Sequence, residues 1–304
     1  MSKEDIVKKI EIIKNDRNAV ILAHNYQPPE IQDIADHLGD SLELSRIASK
    51  LENEVIVFCG VHFMAETAAI LSPEKKVILP DRTAGCPMAD MLSDGELASL
   101  KARHPDAIVV SYVNSSAKVK ALTDICCTSA NAIDVVKSVA EDREIIFGPD
   151  HYLGSWVAEQ TGRNMIIWNG YCPSHQLISV REIEALKNRH PDALVMVHPE
   201  ASKEVVSAAD AVLGTGGMIR FAGESNAKTF IVGTEVGMVY RLQKEYPDKT
   251  FIPASPRAVC DNMKKITLEK VLASLERLEP VITVEPEIAD KARSAIERMI
   301  ETGR

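Results

Sequence analysis

The sequence predicts an α/β protein of three small domains, each a parallel sheet with helices on both faces, related by a pseudo-threefold axis. Three observations predict it. The chain resembles itself at shifts of 86 to 88 residues, apolar strand-like runs alternate with helical patterns, and each unit carries one cysteine in an equivalent loop. Strands alternating with helices favour parallel sheets covered on both faces. Ligands of such sheets gather beyond the carboxyl ends of the strands.

The repeat sets the frame, because a missed period miscasts a whole fold. LKARHPDAIVVSYVN at 100–114 returns as LKNRHPDALVMVHPE at 186–200, a shift of 86. The same shift takes Cys86 to Cys172, and 172 + 88 gives Cys260. Towards the start of the chain, 24 + 88 relates His24 to Tyr112, and 41 + 88 relates Ser41 to Ser129. The units expected are 1–104, 105–190 and 191–280, followed by a terminal segment 281–304 whose helix packs across the repeats.

The elements follow in order. MSKEDIVKKIEIIKND opens the chain as an amphipathic helix, with Ile6, Ile10 and Ile13 on one face, and not as a signal peptide. Each unit then starts with a β-branched strand, at 19–23, 107–111 and 193–197, that ends in a polar tip. A helical segment follows, on whose surface His37 is expected. A turn comes at Ser41, Ser129 and Thr215, and then a second strand ending in glycine, VIVFCG, EIIFGP or TFIVGT. After a helix and a short strand (KKVILP, NMIIWN, TFIPAS) comes the loop with the cysteine.

Composition narrows the function. The chain has 304 residues, 45% of them hydrophobic and 26% charged, and a formal net charge of −9, which argues against nucleic acid as a partner. No apolar run reaches the length of a membrane span, so a cytoplasmic protein is expected. Its six cysteines then sit in a reducing compartment, and none forms a CxxC pair. Cys59, Cys126 and Cys127 read as small core residues.

Equivalent positions in a threefold repeat face one axis. Cys86, Cys172 and Cys260 form one set. The strand tips form a second: His24, Tyr112 and His198, with Tyr26, Asn114 and Glu200 two residues further on and so on the same face of each strand. Ser41, Ser129 and Thr215 form a third. Three converging thiolates can hold a metal, and the spacing leaves three readings open. One is a 4Fe–4S cluster with one iron free to act as a Lewis acid. Another is a structural zinc with His175 of CPSHQ as fourth ligand. The last is inert core cysteines. Acid–base groups at three strand tips favour a catalytic centre.

At this point the residues resemble a known family. ILAHNYQPPEIQDIADHLGDSLELSR, GVHFMAETAAIL, CPMADML, YVNSSA, TSANA, IFGPD, CPSHQ, VHPE, TGGM, GTEVGM and CDNMK are similar, in order and over essentially the whole chain, to quinolinate synthase. The resemblance implies three α/β domains around a 4Fe–4S cluster on three cysteines, here Cys86, Cys172 and Cys260, with one open iron. It implies condensation of iminoaspartate with dihydroxyacetone phosphate to quinolinate, phosphate and two waters, within NAD biosynthesis. Neither NAD nor flavin is consumed, and an aspartate-oxidising enzyme is the partner that supplies iminoaspartate. Another 4Fe–4S hydro-lyase, or a non-catalytic metal- or dicarboxylate-binding protein, is the alternative.

Within that chemistry Glu200 is the candidate general base and acid, and Tyr26 and Tyr112 relay protons or hold a hydroxyl. His24, His198 and Asn114 hydrogen-bond substrate oxygens, and His175 reaches the same cavity. Ser41, Ser129 and Thr215 suit the carboxylates and phosphate, against the plainer reading of each as a helix N-cap. His104 and His190 read as surface turn residues, and His62, His151, Glu66 and Asp150 as lining a domain interface. GTGGM lacks the spacing of a dinucleotide fingerprint. Three positions depart from the family pattern: Gly214 stands for a serine, Tyr171 for a histidine and Tyr152 for an asparagine.

Overall fold

The structure, a computed structural model, describes residues 1–302. Three four-stranded parallel sheets repeat one topology. The first contains β1 (Ala19–His24), β2 (His37–Gly39), β3 (Val55–Cys59) and β4 (Lys76–Ile78), in the order β2-β1-β3-β4. The second contains β5 (Ile108–Tyr112), β6 (Ile125–Cys127), β7 (Ile145–Gly148) and β8 (Ile166–Ile167), in the order β6-β5-β7-β8. The third contains β9 (Leu194–Val197), β10 (Ala211–Val212), β11 (Thr229–Gly233) and β12 (Thr250–Pro253), in the order β10-β9-β11-β12. Every pairing is parallel, and helices flank each sheet.

The central strands are the apolar, β-branched runs seen in the sequence. β1 and β3 are buried along their whole length, as strands covered on both faces must be. In each sheet the chain leaves the first strand for the edge on one side, then crosses to the third strand on the other. The crevice at this reversal opens beyond the carboxyl ends of β1, β5 and β9, where their polar tips stand.

One strand per repeat differs from the sequence reading. β2, β6 and β10 form where a helix and turn were expected, and His37 is the first residue of β2 and not on a helix surface. Two or three residues are too few for an alternating pattern to show. A repeated aspartate anchors each one. The carboxylates of Asp36, Asp124 and Asp210 accept the backbone N–H of Ile21, Val109 and Val195 at 2.7, 2.8 and 2.7 Å. The N–H of each aspartate donates back to the carbonyl of the same residue, at 2.9, 3.0 and 2.8 Å. The spacing of these aspartates (36 + 88 = 124, 124 + 86 = 210) is that of the repeat, and the edge strand starts at the next residue each time.

The terminal helices close the assembly. Lys3–Asp16 packs on the helix Leu268–Arg277. Pro286–Glu301 buries Ala292, Ala295, Ile296, Met299 and Ile300 against β6 and helices of the first two repeats. The Arg46 guanidinium and the Asn131 amide hold its last turn by the carbonyls of Ile300 (3.0 Å) and Met299 (2.9 Å). Cys59, Cys126 and Cys127 are fully buried in β3 and β6.

Candidate active site

The three crevices open into one cavity of about 320 Å³. All the site residues singled out from the sequence line it: the three cysteines, the six strand-tip residues, the three hydroxyls and His175. His62 and His151 do not line it, and His104 lies elsewhere, its Nδ1 2.8 Å from the Glu144 carboxylate.

Each cysteine is presented by the same local device. Cys86, Cys172 and Cys260 precede short 3₁₀ turns at Ala89–Met91, His175–Leu177 and Met263–Lys265. The backbone N–H three residues after each cysteine, from Ala89, His175 and Met263, points at its sulfur. Among the described residues all six cysteines are free thiols. Burial pushes Cys86 up to about 12, against the pull of the Ala89 N–H. Burial also raises Cys172, with Glu200 and Cys86 adding to it, and raises Cys260. Neighbouring buried thiols cannot ionise together without a cation to hold them. Three free thiols with amides aimed at their sulfurs therefore fit a thiolate-held metal centre. Separately, the ligand atoms of Cys172, His175 and Glu200 lie within 4.8 Å of one another, a group able to hold a metal ion.

Beside the thiols runs a chain of hydrogen bonds built from all three repeats. Tyr26 Oη lies 2.6 Å from Thr234 Oγ1, and Thr234 Oγ1 lies 2.9 Å from His175 Nε2. His175 Nδ1 is 2.9 Å from Glu200 Oε2, and the Tyr112 hydroxyl donates to Glu200 Oε1 at 2.6 Å. Burial raises the Glu200 carboxyl. The imidazoles of His198 and His175 and the hydrogen bonds from His175 and Tyr112 outweigh it, leaving it well below the usual carboxylate range. An ionised Glu200 only accepts, so the facing His175 Nδ1 carries a proton. In the Nδ1–H tautomer Nε2 accepts from Thr234, and Thr234 from Tyr26. Burial and the Glu200 charge raise both tyrosines well above their ordinary value, so their protons stay on.

His24 and His198 share a second device. The N–H of Tyr26 donates to His24 Nδ1 at 3.2 Å, and that of Glu200 to His198 Nδ1 at 3.4 Å. In each neutral ring the proton therefore sits on Nε2, and that of His198 donates to Ser129 Oγ at 3.1 Å. Burial drives His24 down to about 3 and His198 to about 4, so both are neutral donors near pH 7.

The N-cap reading of the hydroxyls does not hold. The N-caps are Asp40, Asn131 and Gly214, leaving Ser41, Ser129 and Thr215 other roles. Asn25 Nδ2 donates to Thr215 Oγ1 at 2.9 Å, and buried Asn114 Oδ1 has no partner among the described residues. A Cβ at Gly214 would stand 2.8 Å from Ser129 Oγ, so a side chain here requires Ser129 to move. Asn25, Thr234, Glu235 and Lys264 escaped the sequence reading, although all four lie in quoted motifs, ILAHNYQ, GTEVGM and CDNMK.

Comparison with known proteins adds an independent finding. The family model of the quinolinate synthetase A protein matches residues 8–301. The quinolinate synthase of Dehalococcoides mccartyi strain CBDB1 is 58% identical over 300 residues, 99% of each chain. That of Geobacter metallireducens is 52% identical over 304 residues, 100% of each chain. That of Thermodesulfovibrio yellowstonii is 53% identical over 295 residues, 97% of each chain.

Proposed function

Because the chain belongs to the quinolinate synthetase A protein family over nearly its whole length, we propose that it condenses iminoaspartate with dihydroxyacetone phosphate. The products are quinolinate, phosphate and two waters. The observation that carries this reading is the hydrogen-bonded chain from Tyr26 through Thr234, His175 and Glu200 to Tyr112, beside three free thiols.

Closing a pyridine ring by dehydration needs a base for a C–H proton and an acid for each departing hydroxyl. Glu200, ionised and joined to His175, is the base. Tyr112 and Tyr26 keep their protons and serve as the acids, and Thr234 passes a proton between Tyr26 and His175. The Nε2–H of His24, with Asn114, donates to substrate oxygens, and the Nε2–H of His198 does so by exchanging its Ser129 Oγ partner for substrate. The unpartnered Oδ1 of Asn114 is free to accept from a substrate N–H or O–H. Ser41, Ser129 and Thr215 bind the two carboxylates and the phosphate through their hydroxyls.

Cys86, Cys172 and Cys260 would hold a 4Fe–4S cluster, whose open iron supplies Lewis acidity when bound. Neither NAD nor flavin enters the reaction, and an aspartate-oxidising enzyme supplies the imine. Among the described residues no helix is long and apolar enough to cross a membrane. A cytoplasmic setting, where thiols stay reduced, agrees with the free cysteines.

Anaerobic purification tests the cofactor. Iron and sulfide at about four each per chain support the cluster, and their absence after reconstitution overturns it. Quinolinate formation from the two substrates tests the reaction. A second reading, zinc on Cys172, His175 and Glu200, is favoured by the 4.8 Å grouping. Stoichiometric zinc without sulfide would support it.

A further inference from the structure

The third cysteine lies in a loop built unlike the other two. Cys86 and Cys172 are followed by Pro87 and Pro173, whose rings fix the backbone, whereas Cys260 is followed by Asp261. Around Cys260 the backbone is gripped from both sides. Its N–H donates to Glu235 Oε1 at 3.1 Å, and Glu235 Oε2 accepts the Gly237 N–H at 2.7 Å. The preceding carbonyl of Val259 accepts the Ser174 hydroxyl at 3.0 Å, and the Ala258 carbonyl accepts the Val236 N–H at 3.0 Å.

Glu235 is 1% exposed, and Lys264 lies 2.8 Å from its Oε1. The Lys264 ammonium also donates to the carbonyl of Tyr26 in the first repeat. Gly237 sits where these groups converge. A Cβ there would stand 2.8 Å from Glu235 Oε2, 2.8 Å from the Tyr26 carbonyl and 2.9 Å from Lys264 Nζ. A glycine that only close approach requires is what a built contact leaves behind.

We propose that Glu235, locked by Lys264, is a positioning residue that fixes the backbone of Cys260 and ties it to the Tyr26 loop across the repeat boundary. It does for the third thiol what proline does for the other two. A carboxylate is needed because both oxygens must accept; a glutamine turns a donor towards one of the N–H groups or the ammonium. The proposal rests on Cys260 as a metal-holding thiolate, as under Proposed function.

The test compares wild type with Glu235→Gln and Lys264→Met, as full chains. In cluster-free protein, the alkylation rate of each cysteine by iodoacetamide is read by mass spectrometry. In loaded protein, iron release to a chelator is followed by absorbance. Both variants should alkylate Cys260 about tenfold faster relative to Cys86 and Cys172 in the same chain, the loss of one charge-assisted hydrogen bond. Both should also release iron faster.

The two substitutions change the charge beside Cys260 in opposite senses but loosen the loop in the same sense. Opposite effects on Cys260 would mean electrostatics alone, and would overturn the proposal. An unchanged Cys260 ratio, including the case where all three cysteines speed up together, would also overturn it. If wild-type protein takes up no iron and sulfide, the cluster reading fails while the alkylation ratio still decides the clamp.

Discussion

Tyr112 and Glu200, 88 residues apart, share a buried 2.6 Å hydrogen bond in which a phenol of the second repeat caps a carboxylate of the third. The other oxygen of Glu200 is engaged by His175 at 2.9 Å, so the carboxylate is held from both sides. Glu200→Gln turns a donor towards one of these donors and removes the charge. Quinolinate formation under saturating substrates should fall about 10²- to 10⁴-fold, the usual worth of a general base. Full activity in this variant would exclude Glu200 from proton transfer.

Thr234 contributes one hydroxyl that bridges Tyr26 Oη, at 2.6 Å, and His175 Nε2, at 2.9 Å. Thr234→Val keeps the shape and breaks both bonds, stranding two buried polar groups at a cost of about 1–3 kcal/mol each. kcat should drop while KM changes little, and Thr234→Ser should restore it. Equal activity in Thr234→Val and wild type would show that Tyr26 acts without this link.

Asp40 is buried at the start of the helix Ser41–Ala48, and burial, with Glu43 beside it, raises its carboxyl to about 6. Between about pH 4 and 6 the folded state then holds a proton that the unfolded chain has released. Its contribution to stability is therefore present below pH 4 and lost as pH rises to 6, a change of about 3 kcal/mol. Urea titrations of Asp40→Asn should lack that share of the wild-type slope while keeping the cap. Identical slopes in the two proteins would refute the shift.

The three aspartate latches offer a matched series. Asp124→Ala and Asp210→Ala remove the acceptor for the N–H of Val109 and Val195, and each should cost about 1–3 kcal/mol. Asp36→Ala should cost more, because Asp36 also pairs at 2.6 Å with Lys14, which is 7% exposed and keeps Glu11 as its other partner. Urea midpoints at constant slope would measure all three. A smaller loss at Asp36 than at Asp124 would contradict this order.

The central strands and the three cysteine loops were legible because they recur, and a long apolar run betrays a strand buried on both faces. His24 and Tyr26 became legible only by equivalence with Tyr112 and Asn114, since one polar strand tip has no meaning alone. β2, β6 and β10 stayed hidden, yet the aspartate before each recurs at the repeat spacing and could have revealed them. Thr234, Glu235 and Lys264 have no such signal. Their partners lie 59, 25 and 238 residues away, and a hydroxyl, carboxylate or ammonium shows no local pattern before the chain has folded.

From the sequence by itself came the threefold α/β plan, the cysteine set and the inventory of side chains that meet at the axis, because periodicity and composition are properties of the chain. Tertiary structure alone decided how those side chains work together. It put the N-caps at Asp40, Asn131 and Gly214 and so freed Ser41, Ser129 and Thr215. It placed the ring protons of His24 and His198 on Nε2 through backbone donors two residues away, and joined Tyr26 to Tyr112 through three intervening side chains. Hydrogen-bond direction, protonation and burial depend on what stands within about 3 Å, and in this chain those neighbours come from different repeats.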